Sequence, residues 1–316
     1  MPEKKFIAVV GATGSQGGGL VRAILDDPAN EFAARAIVRN SDSDRARALA
    51  DQGVEIAQAD LNDPASIEKA FRGAYGAYCV TFYWEHFDPA KEVAHAKTMA
   101  EAARSAGVRH VVWSTLEDSR NWIPLDDGRM PTLKQRFKVP HFDAKAEANR
   151  LFVDAGIPTT FIVPSFYWEN MILFGMGPKP GPDGTLALTF PMGDRKLPGI
   201  ASDDIGRSAL GIFSRGTDYV GKFVGVAGDH LTGDEMAAIL TKALDRKIRY
   251  NAVSPDAYRQ FDFPGADDMG NMFQFYHDFD QVVLGLRDLD ASRTLNPKLQ
   301  DFETWCRQNS DRIPLE

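Results

Sequence analysis

Through about residue 164, short runs of apolar and β-branched residues alternate with longer segments of helical character. Phe6 to Val10, Arg35 to Val38, Glu55 to Gln58, Ala77 to Phe82, His110 to Ser114 and Thr159 to Val163 read as strands. That alternation predicts a parallel sheet with helices on both faces. The first run is nearly all apolar, as a strand covered on both faces requires. Helix boundaries are also readable. Asp63-Pro64 puts a capping residue ahead of proline at the first helical position, for a helix over Ala65 to Arg72 that Gly73 stops. The longest helix, Pro89 to Ala106, is closed by Gly107 and turns Val93, Ala96, Ala100 and Ala103 to one face, which is expected to pack on the sheet.

After Val163 the rhythm gives way to Gly175, Gly177, Pro178, Pro180, Gly181, Pro182 and Gly184, which mark a boundary and a loop-rich insertion. A helix over Asp203 to Phe213 and a strand over Lys222 to Val226 return to the sheet. From about Leu231 the chain reads as mixed helix, with its last segment near Asp301 to Gln308. The predicted fold is α/β: a Rossmann-type doubly wound parallel sheet from residues 1–164 plus about 201–228. A smaller mixed α/β C-terminal cap takes about 165–200 plus 229–316.

Composition narrows the function classes. With 316 residues, 44% hydrophobic and 25% charged, the chain can bury a sizeable core. A formal net charge of −8 opposes direct nucleic-acid binding, which needs a concentrated basic face. Any regulatory role is therefore expected to run through a protein partner or a small molecule. The two cysteines, Cys79 and Cys306, form no metal-ligand cluster and suit a reducing compartment. No apolar stretch reaches the ~20 residues that a membrane helix needs. The expected address is the cytoplasm, with the nucleus added for a eukaryotic chain.

The first strand runs directly into Gly11-Ala12-Thr13-Gly14-Ser15-Gln16-Gly17, which opens the helix Ser15 to Asp26. In that context the first glycine permits the turn, the second lets backbone amides approach a pyrophosphate, and the third lets helix pack on strand. The anion meets a helix N-terminus. The second strand ends in Arg39, where NAD sites usually carry a carboxylate for the ribose 2′-hydroxyl. A guanidinium there grips a 2′-phosphate in a charge-assisted pair, so NADP(H) is the expected cofactor. Asp60-Leu61, after the third strand, stands where adenine contacts are common.

Taken together, the glycine loop, Val38-Arg39-Asn40, Val80-Thr81-Phe82-Tyr83-Trp84-Glu85, Trp113-Ser114-Thr115-Leu116-Glu117 and His141-Phe142-Asp143-Ala144-Lys145 resemble the NmrA-like family of atypical short-chain dehydrogenase/reductases, nearest its NADPH-sensor branch. Phe263-Pro264-Gly265-Ala266 and Asn271-Met272-Phe273 extend the likeness across nearly the whole chain. Active short-chain reductases place Tyr-x-x-x-Lys on a helix after the fifth strand, four residues apart and so on one face. Here the lysine remains as Lys145, and His141 replaces the tyrosine.

The resemblance implies a Lys145 that holds the nicotinamide ribose and a Ser114 or Thr115 hydroxyl that polarises a substrate oxygen. It implies contacts to the cofactor from Asn40, Thr81, Phe82 and Tyr83, and from Ser165, Phe166 and Tyr167 after the sixth strand. Trp84, Phe166, Tyr167 and Trp168 are candidates for an apolar substrate pocket. Two functions stay open. One is a nucleotide-responsive redox regulator that binds NADP(H) without turning it over and signals to a protein partner, with a homodimer compatible with that role. The other is an NADPH-dependent reductase of a carbonyl, imine or quinone, in which Lys145 or His141 serves as the acid. The chain departs from the sensor branch after Arg39, where Asn40-Ser41-Asp42-Ser43-Asp44 stands in place of further basic residues.

Overall fold

The computed structural model describes residues 4–181 and 183–315. The chain divides into two compact units: the first takes residues 1–118, 144–163 and 203–224, the second residues 119–143, 164–202 and 225–316.

The first unit is built on strands β1 (Lys5–Val10), β2 (Phe32–Val38), β3 (Glu55–Gln58), β4 (Gly76–Cys79), β5 (His110–Ser114) and β6 (Thr159–Val163). Helices α1 (Ser15–Leu25), α2 (Asp44–Asp51), α3 (Pro64–Phe71) and α4 (Pro89–Ser105) connect the first five. Helix α5 (Pro140–Asp154) leads into β6. The sheet order is Phe223–Gly225, β6, β5, β4, β1, β2, β3. Pairings from β3 to β6 are all parallel. Chain order reverses between β1 and β4, and β1 carries the glycine turn at its carboxyl end. Such a switch point is where ligands enter doubly wound sheets.

Local chemistry explains the connections. The Asp63 carboxylate caps α3 just ahead of Pro64, as the sequence predicts, and Asp88 does the same for α4 ahead of Pro89. Ser43 caps the short helix α2, its hydroxyl accepting from the Ala46 amide. Helix α1 meets the helix Ser202–Ser214 at very close range. A Cβ on Gly206 would lie 2.1 Å from the Leu20 amide nitrogen, so only glycine fits at that crossing.

Several boundaries differ from expectation. Strand β4 ends at Cys79, not Phe82, and the chain turns into a single 3₁₀ turn over Tyr83–Glu85. The buried Tyr83 ring packs edge-on against Trp84, His86 and Phe87, and this small aromatic cluster draws the chain out of the ladder. In α4 the inward face is rotated by one residue: Glu92 is fully buried with Ala96, Met99, Ala100 and Ala103, whereas Val93 is half-buried.

The second unit holds two three-stranded sheets. One joins Phe166–Tyr167, Leu197–Ile200 and Asp229–Leu231. The other pairs Leu186–Phe190 in parallel with Ile248–Ala252. That second strand lies in a stretch expected to be helical. Its burial follows no clean alternation, with Arg249 exposed and Tyr250 and Asn251 both half-buried, so the local strand signal is weak and the partner across the sheet supplies the rest. Among the described residues no helix is long and apolar enough to cross a membrane.

Candidate functional site

The glycine turn has the shape that a pyrophosphate requires. Gly11 takes φ +67°, a left-handed conformation that favours glycine, and the Gly14 amide closes the turn on the Gly11 carbonyl at 2.8 Å. Gly14 caps α1 with no side-chain hydrogen bond, and the first turn carries no acidic residue. The amides of Ser15, Gln16 and Gly17 therefore begin the helix without a competing side-chain anion. Tyr78 of β4 donates its hydroxyl to Gln16 Oε1 and fixes that side chain beside the turn. Gly17 is tight against the strand end, since an added Cβ would meet the Gly11 carbonyl oxygen at 2.4 Å. The residues thus fit the diphosphate of a dinucleotide.

Both obstructing groups near Gly17 are backbone, so Gly17→Ala cannot be absorbed by a side-chain shift. We expect it to lower stability by about 1–3 kcal/mol and to remove NADPH-induced thermal stabilisation. Melting curves with and without NADPH check this, and an unaltered ligand-induced shift would contradict it.

At the end of β2, Arg39 is largely exposed and its guanidinium pairs with the Glu85 carboxylate from the 3₁₀ turn after β4. Asn40 caps its own turn, its Oδ1 accepting from the Asp42 amide. Asp60 Oδ1 accepts from the backbone and side-chain nitrogens of Asn62, both at 2.7 Å. The backbone N–H of Asn62 is the chief reason that the Asp60 carboxyl lies below its usual range; the Arg39 charge adds to it against partial burial. Leu61 packs partly buried against the core under β3 and β4.

Around Lys145 the first unit gathers a buried polar cluster. The ammonium lies 2.8 Å from Glu92 Oε1, donates to Thr81 Oγ1 at 2.6 Å, and sits 5.3 Å from the centre of the Trp113 ring. Thr81 in turn donates to Glu92 Oε1 at 2.5 Å. His86 Nε2 approaches Glu92 Oε2 at 3.4 Å, and neither atom makes a hydrogen bond. Burial pushes the Glu92 carboxyl up, but the Lys145 charge, the nearby His86 imidazole and the hydrogen bonds from Lys145 and Thr81 outweigh it and bring the carboxyl down to about 2. Thr115 Oγ1 donates to the Lys145 carbonyl at 3.3 Å, tying the end of β5 to α5. Ser114, the last residue of β5, is buried. Among the expected contact residues, Thr81 joins this cluster, Tyr83 is buried in its aromatic group and Phe82 is exposed.

Glu92 and His86 escaped the sequence reading. A signal existed: Glu92 falls on the apolar stripe of α4, four residues before Ala96, where an unpaired carboxylate would be costly.

In the second unit, His141 Nδ1 lies 2.7 Å from Asp268 Oδ1, and the His141 amide donates to Asp268 Oδ2 at 3.2 Å. Ser165 donates to the Val226 carbonyl at 2.7 Å. Phe166 packs on Phe190 and Phe273, and Tyr167 is half-buried beside it in the strand. The proposed aromatic pocket needs correction at Trp168. That ring is buried against Phe302 and Trp305, so it fills the core rather than lining open space.

The NmrA-like family model matches residues 3–306. An NmrA-like family domain-containing oxidoreductase, FrzB of Cladobotryum sp, is 30% identical over 291 residues, covering 85% of this chain and 83% of that protein. An NAD(P)H azoreductase of Xenophilus azovorans is 26% identical over 255 residues, covering 81% of this chain and 79% of that protein. Among solved structures, NmrA, a negative transcriptional regulator, in complex with NADP superposes with a TM-score of 0.78 at 24% identity, covering 96% of this chain and 95% of that one.

Proposed function

Because this chain belongs to the NmrA-like family, we propose that it binds NADP(H) and works as a reductase of a carbonyl, imine or quinone, with Lys145 as its central polar residue. The observation that carries this reading is the buried Glu92–Lys145 pair with Thr81 and His86 around it. Buried charges are costly unless paired, and carboxyls strongly shifted by burial and a specific charge partner concentrate at functional sites.

The Gly11–Gly17 turn would receive the diphosphate, Arg39 the 2′-phosphate and Asp60-Leu61 the adenine. When bound, NADPH supplies the hydride. Thr81 and Glu92 hold the Lys145 ammonium in one place, where it can hydrogen-bond the nicotinamide ribose. A substrate oxygen or nitrogen that gains electron density can share that ammonium, with the Glu92 carboxylate offsetting part of its charge. Relatives support the class: FrzB is named an oxidoreductase and the Xenophilus protein an azoreductase. Cys79 and Cys306 are free and buried, with thiols that burial pushes up, so neither is a reactive thiolate in this reading.

A second reading, an NADP(H)-responsive regulator with a protein partner, is favoured by one observation. Position 141 offers no phenol, and its imidazole is committed to Asp268. One experiment separates the two. The protein is mixed with NADPH and a panel of quinones, imines, azo dyes and carbonyl compounds, and the nicotinamide absorbance is followed. The reductase reading expects sustained consumption that Lys145→Gln lowers by about 100-fold, while NADPH still raises the melting temperature of the variant. Strong NADPH-induced stabilisation without consumption on the whole panel would leave the regulator.

A further inference from the structure

The Arg39–Glu85 pair joins two loops that the sheet order places on either side of β1: Arg39 follows β2, and Glu85 follows β4. The pair therefore reaches across the carboxyl end of β1, from which the Gly11 turn springs. Arg39 is 69% exposed and Glu85 is 47% exposed, so both heads can reach a ligand arriving from solvent. Where Arg39 would face a 2′-phosphate, the position carries a preformed anion on the same guanidinium.

We propose that Glu85 is a specificity-determining residue that lets one site take either dinucleotide. The proposal rests on the reading that the Gly11–Gly17 turn binds the diphosphate. A 2′-phosphate must take the guanidinium from Glu85 and then lies near its carboxylate, and near that of Asp60, whose charge Arg39 also feels. Part of the gain from the phosphate–Arg39 contact is thereby offset. A ribose 2′-hydroxyl makes no such demand. It can donate to the Glu85 carboxylate while that carboxylate keeps Arg39, which is the service that an acidic residue at the end of β2 performs in NAD sites. In this chain the acid comes from the turn after β4, so a guanidinium and a carboxylate occupy the neighbourhood together. Discrimination between the two nucleotides is then a difference between two contacts, and both hinge on Glu85.

The test is calorimetric titration of the whole protein with NADP⁺ and with NAD⁺, for the natural chain and for Glu85→Gln. Glutamine keeps the size and a hydrogen-bonding head but frees the guanidinium of its counter-charge. The variant is expected to bind NADP⁺ about threefold to fivefold more tightly, the range set by an exposed ion pair, and NAD⁺ severalfold more weakly. The preference for NADP⁺ over NAD⁺ then rises by about tenfold, and less at high salt. Unchanged constants, or a shift of both in the same direction by the same factor, overturn the role of Glu85 and leave the cofactor reading intact. A natural chain that takes up neither nucleotide at millimolar concentration overturns both.

Discussion

Arg39→Asp is expected to weaken NADP(H) binding by about 100-fold and to leave NAD(H) within about threefold of its natural affinity. The variant removes a charge-assisted pair to the 2′-phosphate, typically about 1.5–3 kcal/mol, which is roughly 10-fold to 150-fold in the dissociation constant. It also sets a third carboxylate beside Asp60 and Glu85, so repulsion adds to the loss. NAD(H) carries no phosphate at that point, and the diphosphate contacts of the Gly11 turn are untouched. Titration of both nucleotides at two ionic strengths measures the effect, and the NADP(H) deficit should shrink as salt rises because Arg39 is exposed. Equal weakening of both nucleotides would mean that the substitution disturbs the turn itself. No change in either would remove Arg39 from the site.

The expected result distinguishes two roles for charge in the first unit. At Arg39 the partner is at the surface, the ion pair is worth little by itself, and its use lies in being exchangeable. At Lys145 the partner is buried and the arrangement is fixed by Thr81, so exchange is opposed. Nucleotide selection can thus be tuned at the exposed pair without disturbing the lysine, since the two clusters share no side chain.

Much of the first unit was legible because its signals are local. Alternation of apolar runs with capped segments is enough to place β1, β3, β5 and β6, and the glycine turn is readable because each of its glycines has a backbone reason to be there. The aromatic turn after β4 was not legible, because Val80, Thr81 and Phe82 resemble a continuing strand until the packing of Tyr83, Trp84, His86 and Phe87 is seen. Nor was the cluster at Lys145. Its members Thr81, Glu92 and Lys145 come from three separate segments: the apolar stripe of α4 marks Glu92 as buried, but only the fold shows what its carboxylate meets. The histidine in place of tyrosine at position 141 is plain from the motif, and the structure adds the Asp268 contact, 127 residues away in the chain. That distance is why no spacing rule could have suggested it.

Glu92→Ala should be among the most destabilising single changes in the first unit. Its carboxylate has no exposure, and the Lys145 side chain is nearly as enclosed. Removing one member of a buried pair strands the other charge in a site largely closed to water, which typically costs about 3–5 kcal/mol. For a chain of this size the melting temperature should fall by on the order of 10 °C. Replacing both partners, as Glu92→Leu with Lys145→Met, should recover most of that stability, because no charge is then left unpaired. The pH dependence has a definite sign. Glu92 is held at about 2 in the folded protein against an ordinary value of 4.5, so its contribution is complete above pH 4.5 and is lost as pH falls toward 2. The natural protein should therefore lose stability through that interval more steeply than Glu92→Ala, whose melting curve lacks this titration. A single variant as stable as the natural chain, or a double variant no better than the single one, would show that the Glu92–Lys145 contact is not the tightly coupled pair the geometry describes. The lysine would then be free to move, and the case for a fixed ammonium beside the nicotinamide ribose would go with it.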